Sequence, residues 1–478
     1  MLRRPQTGSR THAEALLADD VIVPMHAHDE RDDHFVSLVD TTPRRVSPAE
    51  AAHIASTRHG IGGPRDLTDV AEGGPRKLSR RNAIRGGAAL LGGLLAPNLL
   101  PRYSFAATGA RDTVIVIFLR GGMDGPSALV PVTDPSYYAA RGEVAVPAEL
   151  TLPVTADFGL HPEMAPLMPL WDADQLAFVT GVGAPWASRS HFVDQVANER
   201  CAPAQVRSGW LGRHLASASS DTGTLRAVTI GSKSTLAVAT SFPTLATWTV
   251  DGFDLPAAAD RRDAAMRTLD SMYGAVGGVV NAQAEATFAS IGTLASVRGT
   301  PYSPSAGAVY PASNFGSGLA EIARLMKAGV GMEAACIDIG DWDMHQNFGV
   351  ASDTASKFSG KVRDLSEGLA ALRTDLGDRW ATTTVITMSE FGRRVLINGS
   401  GFDHGSGGLM IFAGGGVNGG KVYGSQPTLS LDNLRDGDMP ITVDFRQPLS
   451  EVVTTRLANS ALETVFPGFT AQPPLGIV

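Results

Sequence analysis

The chain has 478 residues, a net charge of −8, 18% charged and 6% aromatic residues, and 53 glycines. That length can bury a large core as one big domain or two, and the composition describes a globular, loop-rich body. An acidic balance with no basic stripe excludes a general nucleic-acid binder.

Residues 1–78 are polar and irregular, with a charged run His28-Asp29-Glu30-Arg31-Asp32-Asp33-His34. Such a run reads as a solvated, disordered leader rather than a metal site. Lys77–Arg85 (KLSRRNAIR) then precedes Gly86–Leu100, which is small, apolar and rich in glycine. That stretch falls short of the roughly 20 apolar residues of a stable membrane span. Residues 79–106 resemble a twin-arginine export signal, with Ser104-Phe105-Ala106 as the cleavage site, although Ala83 stands where that signal usually carries Phe. The alternative is a buried Gly/Ala helix behind a basic turn. Export by that route would leave a mature body of 107–478 in the periplasm, the cell envelope or outside the cell.

In the body, Thr113–Leu119 (TVIVIFL) predicts a buried strand running into Arg120-Gly121-Gly122-Met123-Asp124. Leu176–Val182 predicts a second strand, followed by Ser188-Arg189-Ser190-His191-Phe192. Residues at about 205–315 are less regular and predict a cap or insertion, with a helix near Ala257–Tyr273. Glu321–Lys327 reads as a helix leading into a strand at Ala334–Ile339, which ends in Gly340-Asp341-Trp342-Asp343-Met344-His345. Ser356–Leu376 carries a helical apolar face at Val362, Leu365, Leu369 and Leu372. The run at Val385 and Ile386 ends in Ser389-Glu390-Phe391-Gly392-Arg393-Arg394, Asp403-His404-Gly405 precedes a run at Leu409–Phe412, and Arg446–Leu462 reads as a closing helix. Gly-bounded apolar runs alternating with helices predict an α/β fold, a mainly parallel sheet with helices on both faces.

Ligands in such folds collect beyond the carboxyl ends of the strands. Of eleven histidines, His191, His345 and His404 fall at predicted strand ends. Carboxylate beside imidazole, as in Asp343-x-His345, suits zinc, manganese or iron better than calcium, which prefers oxygen ligands alone. Ser188 or Ser190 next to His191 can be a nucleophile or a helix cap. Cys201 and Cys336 offer no thiolate metal site, and Cys336 reads as a small core residue.

The segments FLRGGMDG (118–125), SRSHF (188–192), GDWDMHQNF (340–348), SEFGRR (389–394) and GFDHGSGGLMIFAGGGVNGGKVYG (401–424) together resemble the domain-of-unknown-function 1501 family of bacterial exported proteins. That family is in turn similar to the alkaline phosphatase and sulfatase superfamily, which implies an alkaline-phosphatase-like fold and a divalent metal. The resemblance implies Asp124 as the first acidic ligand and Ser190 or Ser188 as nucleophile, with His191 as ligand or proton carrier. Asp343 and His345 would form the middle ligand group, with Asp341 as the alternative acid, and Glu390, Asp403 and His404 the last. Phe391 stands where a second-site histidine would be expected, so a single metal or an altered second site is implied. SRSHF also departs from the sulfatase Cys/Ser-x-Pro-x-Arg pattern, which argues against a formylglycine enzyme.

Arg120, Arg189 or Arg393 would hold the anionic group of a small or polymeric ester substrate. The expected activity is a metal-dependent hydrolysis of phosphate or sulfate esters. A non-catalytic exported protein that uses the cleft for binding is the alternative. A metal-free serine hydrolase built on Ser190 and His404 lacks the Gly-x-Ser-x-Gly elbow.

Overall fold

The computed structural model describes residues 112–218, 225–240, 244–255, 257–276 and 278–478. The polar leader (1–78) and the export segment (79–106) lie outside the described residues. Among the described residues twelve strands form: β1 (Thr113–Leu119), β2 (Leu129–Pro131), β3 (Leu152–Pro153), β4 (Phe158–Leu160), β5 (Leu176–Gly183), β6 (Ala227–Ile230), β7 (Leu245–Thr247), β8 (Ala334–Ile339), β9 (Thr383–Met388), β10 (Gly408–Gly414), β11 (Lys421–Gly424) and β12 (Val443–Asp444). The main sheet runs β11-β5-β10-β9-β1-β8-β6-β7, with β12 paired to β5, while β2, β4 and β3 make a small separate sheet.

β1 pairs in parallel with β8 and with β9, and β6 pairs in parallel with β8 and β7. Among the described strands of the main sheet, only β10 runs against its neighbours, antiparallel to both β5 and β9. This reversal matters for the site. A chain leaving the carboxyl end of β9 need not cross the sheet before entering β10, so all of 389–407 stays at one end of it.

The principal helices are α1 (His191–Arg200), α2 (Trp210–Ser217), α3 (Arg262–Gly274), α4 (Gly278–Arg298), α5 (Asn314–Lys327), α6 (Lys357–Leu376) and α7 (Arg446–Glu451). Successive strand residues face opposite sides, and β1 divides its side chains accordingly. Ile115, Ile117 and Leu119 pack with Leu319 and Ile322 of α5 and Leu365, Leu369 and Leu372 of α6. Val114, Val116 and Phe118 pack with Trp210, Leu211 and Leu215 of α2 and Leu449 of α7. Helices therefore cover both faces. All seven β1 residues are buried, which explains why its sequence is a continuous apolar run without alternation.

Helix limits follow local chemistry. Ser356 caps α6 by accepting the Ser359 N–H, and Ser313 caps α5 by accepting that of Gly316, so α5 starts well before the predicted Glu321. Within the stretch expected as a cap or insertion, β6 and β7 extend the main sheet, and α4 contributes Leu294 and Val297 to the core. The expected closing helix Arg446–Leu462 is interrupted: α7 gives way to a π-type turn at Val452–Arg456. Asn459 draws the chain aside, its Nδ2 donating to Ser217 Oγ and its Oδ1 accepting the Ala461 N–H. Cys201 and Cys336 are both free and buried. No helix among the described residues is long and apolar enough to cross a membrane.

Candidate metal centre

The loops after β1, β5, β8 and β9 meet at one end of the sheet. Gly121, at φ +120°, is required here: a Cβ would fall 2.3 Å from the Asp343 backbone nitrogen, so the loops after β1 and β8 cross with no room for a side chain. Asp343 thereby stands at the centre. His345 Nε2 lies 3.1 Å and His404 Nε2 3.2 Å from its Oδ1, and His191 Nε2 lies 3.2 Å from its Oδ2. His345 Nε2 and His404 Nε2 are 2.8 Å apart. His191, Asp343 and His404 each offer an atom within 4.8 Å of the others, a separation one cation could bridge.

The other nitrogen of each ring decides what these atoms are. His191 Nδ1 contacts Glu390 Oε1 at 2.8 Å, His345 Nδ1 contacts Asp403 Oδ1 at 3.2 Å, and His404 Nδ1 contacts the Arg189 carbonyl at 2.8 Å. All three partners can only accept, so each Nδ1 carries the hydrogen, and each Nε2 turns toward Asp343, where it donates to the carboxylate while protonated and would offer a lone pair to a cation once that proton leaves. Nδ1 bound to a carboxylate or carbonyl is the usual outer support of a metal-ligating histidine. His191 Nε2 is buried, and its polar neighbour is Asp343 Oδ2 at 3.2 Å. Ligand atoms on a tetrahedral zinc with bonds of about 2.0–2.1 Å would sit roughly 3.3 Å apart. His191, Asp343 and His404 present a nitrogen-rich donor set that one cation could share, with His345 Nε2 beside Asp343 and His404.

The electrostatics agree. Burial opposes the His191 imidazolium, but hydrogen bonds to Asp343 and Glu390 outweigh it and hold its pKa at about 9. Hydrogen bonding to Asp343, against burial, also raises His345. Burial would raise Asp343, yet hydrogen bonds from His191, His345 and His404 and the Arg393 charge hold it far below the carboxylate range. The pocket thus concentrates negative potential where the three rings converge.

Several expected residues stand elsewhere in the network. Glu390, expected as a ligand, lies behind His191; its Oε1 accepts from His191, from the Gly121 N–H at 2.8 Å and from Gln195 Nε2 at 2.9 Å. Asp403 likewise lies behind His345, held through Oδ2 by Asn398 Nδ2 at 2.9 Å. Asp124, also expected as a ligand, is buried against both terminal nitrogens of Arg141 and caps a short turn through Ser127. Asp341 faces outward and pairs with Lys361 at 2.9 Å. Ser188 donates its hydroxyl to Asp194 at 2.9 Å and so is committed. Ser190 occupies the N-cap position of α1 without making a capping bond.

The three arginines expected to hold an anion are all engaged. Arg120 is paired with Glu199 and Asp338, and Arg189 with Asp438. Arg393 is buried and donates to the carbonyls of Gly121, Gly122, Trp342 and Phe402 as well as to Asp343. All three guanidinium nitrogens of Arg393 donate to the protein, Nη2 to three acceptors at once.

Gln195 and Asn198 were not anticipated from sequence, although α1 carries a signal for them. His191, Asp194, Gln195, Asn198 and Glu199 follow helical spacing, and all of them bond within the network. Asn198 Nδ2 donates to the Glu390 carbonyl at 2.9 Å. Meanwhile Phe192 and Val193 are 92% and 52% exposed. A helix whose polar stripe faces inward and whose apolar residues face water reverses the ordinary pattern. A cavity of about 360 Å³ adjoins the centre, lined by His345, Gln346, Asn398, Gly399, Ser400 and Asp403.

Residues 111–442 match the family described as "Protein of unknown function (DUF1501)". No curated protein matches the chain. Among solved structures, it is similar to a murine ectonucleotide pyrophosphatase/phosphodiesterase 5, an inactive form in complex with AMP (12% identity, 59% of this chain and 57% of that one, TM-score 0.25). It is also similar to a protein in the alkaline phosphatase superfamily from Vibrio parahaemolyticus (9% identity, 69% and 67%, TM-score 0.29). A third is the C-terminal periplasmic domain of EcEptC from Escherichia coli in complex with Zn (10% identity, 66% and 77%, TM-score 0.29). The chain spans less than two thirds of the length of the murine protein.

Proposed function

The chain belongs to the DUF1501 family, and on the ligand geometry it carries we propose that it is an exported metal-dependent hydrolase of phosphate or sulfate esters. One observation carries this reading: three imidazoles, each fixed at Nδ1 by an acceptor, turn Nε2 toward the single carboxylate of Asp343. His191, Asp343 and His404 would hold one divalent ion, with His345 beside them as a further donor and zinc favoured over manganese or iron by the nitrogen-rich set. A bound ion would supply Lewis-acid polarisation of the ester oxygen and a lowered pKa for an attacking hydroxyl or water.

The chain's own residues would do the rest. Arg393 and the three rings keep Asp343 ionised at any working pH. Ser190, whose hydroxyl is not spent on capping α1, is the proposed nucleophile. The cavity beside His345 would receive the remainder of the substrate. Residues 79–106 are proposed as a twin-arginine export signal, which would deliver the folded body of 107–478 through that machinery.

A second reading, a non-catalytic binding protein, draws support from one observation: Arg120, Arg189 and Arg393 are all committed to partners. Metal analysis of the purified protein beside a His345→Ala, His404→Ala variant separates the two. Near-stoichiometric metal in the wild type, lost in the variant, followed by turnover of 4-nitrophenyl phosphate or sulfate that Ser190→Ala abolishes, is the expected result. Metal with no turnover of either ester would favour the binding role. No metal after reconstitution would overturn both the centre and the hydrolase.

A further inference from the structure

We propose that the Arg189–Asp438 ion pair is a positioning device that sets the orientation of His404 and the start of α1; that it thereby prepares metal ligands rests on the reading of the preceding section. The backbone of Arg189 is left-handed (φ +62°), a conformation that non-glycine residues seldom adopt. What it gains there is the placement of its carbonyl, which accepts the His404 Nδ1 hydrogen at 2.8 Å. The guanidinium that would otherwise point to solvent reaches Asp438 Oδ2 at 2.7 Å.

Asp438 is fully buried and belongs to neither loop that it joins. Its Oδ2 also accepts the Ser406 hydroxyl at 2.6 Å, and Arg394 Nε lies 3.5 Å from its Oδ1. Its backbone is fixed by reciprocal hydrogen bonds with Arg435. One buried carboxylate thus grips the residue two before His191 and the residue two after His404. Burying a charge carries a desolvation cost that an apolar residue of similar size would avoid. A carboxylate retained there is explained by what it orients. Arg189 is therefore a positioning residue, and the anion contact expected of it from sequence is taken by Asp438.

The test uses the full chain labelled with ¹⁵N-histidine, with His404 assigned through its Ala variant, in the metal-free state and during titration with Co²⁺. Arg189→Gly keeps the left-handed turn open but removes the guanidinium, Arg189→Lys restores a cation, and Asp438→Asn removes the anchor at constant volume. The wild type should hold His404 as the single Nδ1–H tautomer. Arg189→Gly and Asp438→Asn should mix the tautomers, alter the Co²⁺ absorption band and weaken binding about 10–100-fold, with partial rescue by Lys. Thermal melts close to wild type for Arg189→Gly would separate positioning from folding. An unchanged tautomer and Co²⁺ affinity in Arg189→Gly would overturn the proposal. No Co²⁺ binding by the wild type, with the tautomer change intact, would sink the metal reading and leave the positioning role standing.

Discussion

His191 is charged near neutral pH in the metal-free chain, because its pKa is held at about 9 while a metal requires the neutral ring. Metal binding at pH 7 should therefore release about one proton. The apparent affinity should rise roughly tenfold per pH unit toward 9 and level off above it, where no proton remains to displace. Calorimetry in buffers of differing ionisation enthalpy reads both numbers; affinity independent of pH would exclude His191 from the ligand set. Glu390 acts one bond further out. Glu390→Gln keeps an acceptor for His191 Nδ1 but removes the charge, so the His191 pKa should fall and metal affinity drop about 10–100-fold. At this scale the sequence named Asp343, His345 and His404 as candidate ligands, and the fold brings the three side chains together. It could not rank Glu390, Asp403 and Asp124, since an Asp or Glu at a strand end looks the same whether it meets a ring nitrogen or, like Asp124, a buried Arg141.

Each strand end delivers its loop to the centre through tight crossings and caps. Gly405 sits where a Cβ would fall 2.5 Å from the backbone carbon of Arg393, so Gly405→Ala must push the two arms of the 389–407 loop apart. Far-ultraviolet circular dichroism should stay native while metal binding is lost, because the displacement falls on His404 and not on the sheet. Ser356→Ala should cost about 1 kcal/mol in urea unfolding with the slope unchanged, since it removes the acceptor for the Ser359 N–H and the donor to Ser359 Oγ at the start of α6. β1 and β8 were legible to the residue because both lie inside the sheet, where burial favours apolar side chains; Asp338, near the end of β8, is exposed and pairs with Arg120. The break after α7 was not legible, for the partners of Asn459, His214 and Ser217, stand some 240 positions away in the chain.

The whole body has a pH limit that the metal centre does not set. His214 is buried on the α2 side of the sheet, and burial pushes its pKa down to about 4. The unfolded chain would bind that proton near 6.5, so the unfolded state holds more protons between those values. Stability should be complete above pH 6.5, fall by of order 3 kcal/mol as pH drops toward 4, and be flat in this contribution below. Denaturant unfolding of wild type and His214→Gln at pH 7 and 4.5 checks it: the variant should lose less than the wild type on acidification.

By itself, the sequence determined the α/β class, the strands that carry the loops and the three histidines that those loops bring together. Apolar runs, glycine boundaries and imidazoles are local and leave local traces. Only the tertiary structure decided that β10 runs backward, that α1 turns its polar stripe inward, and that Arg120, Arg189 and Arg393 are spent on the protein. Those depend on which distant group a side chain meets, and a linear pattern holds no record of that meeting.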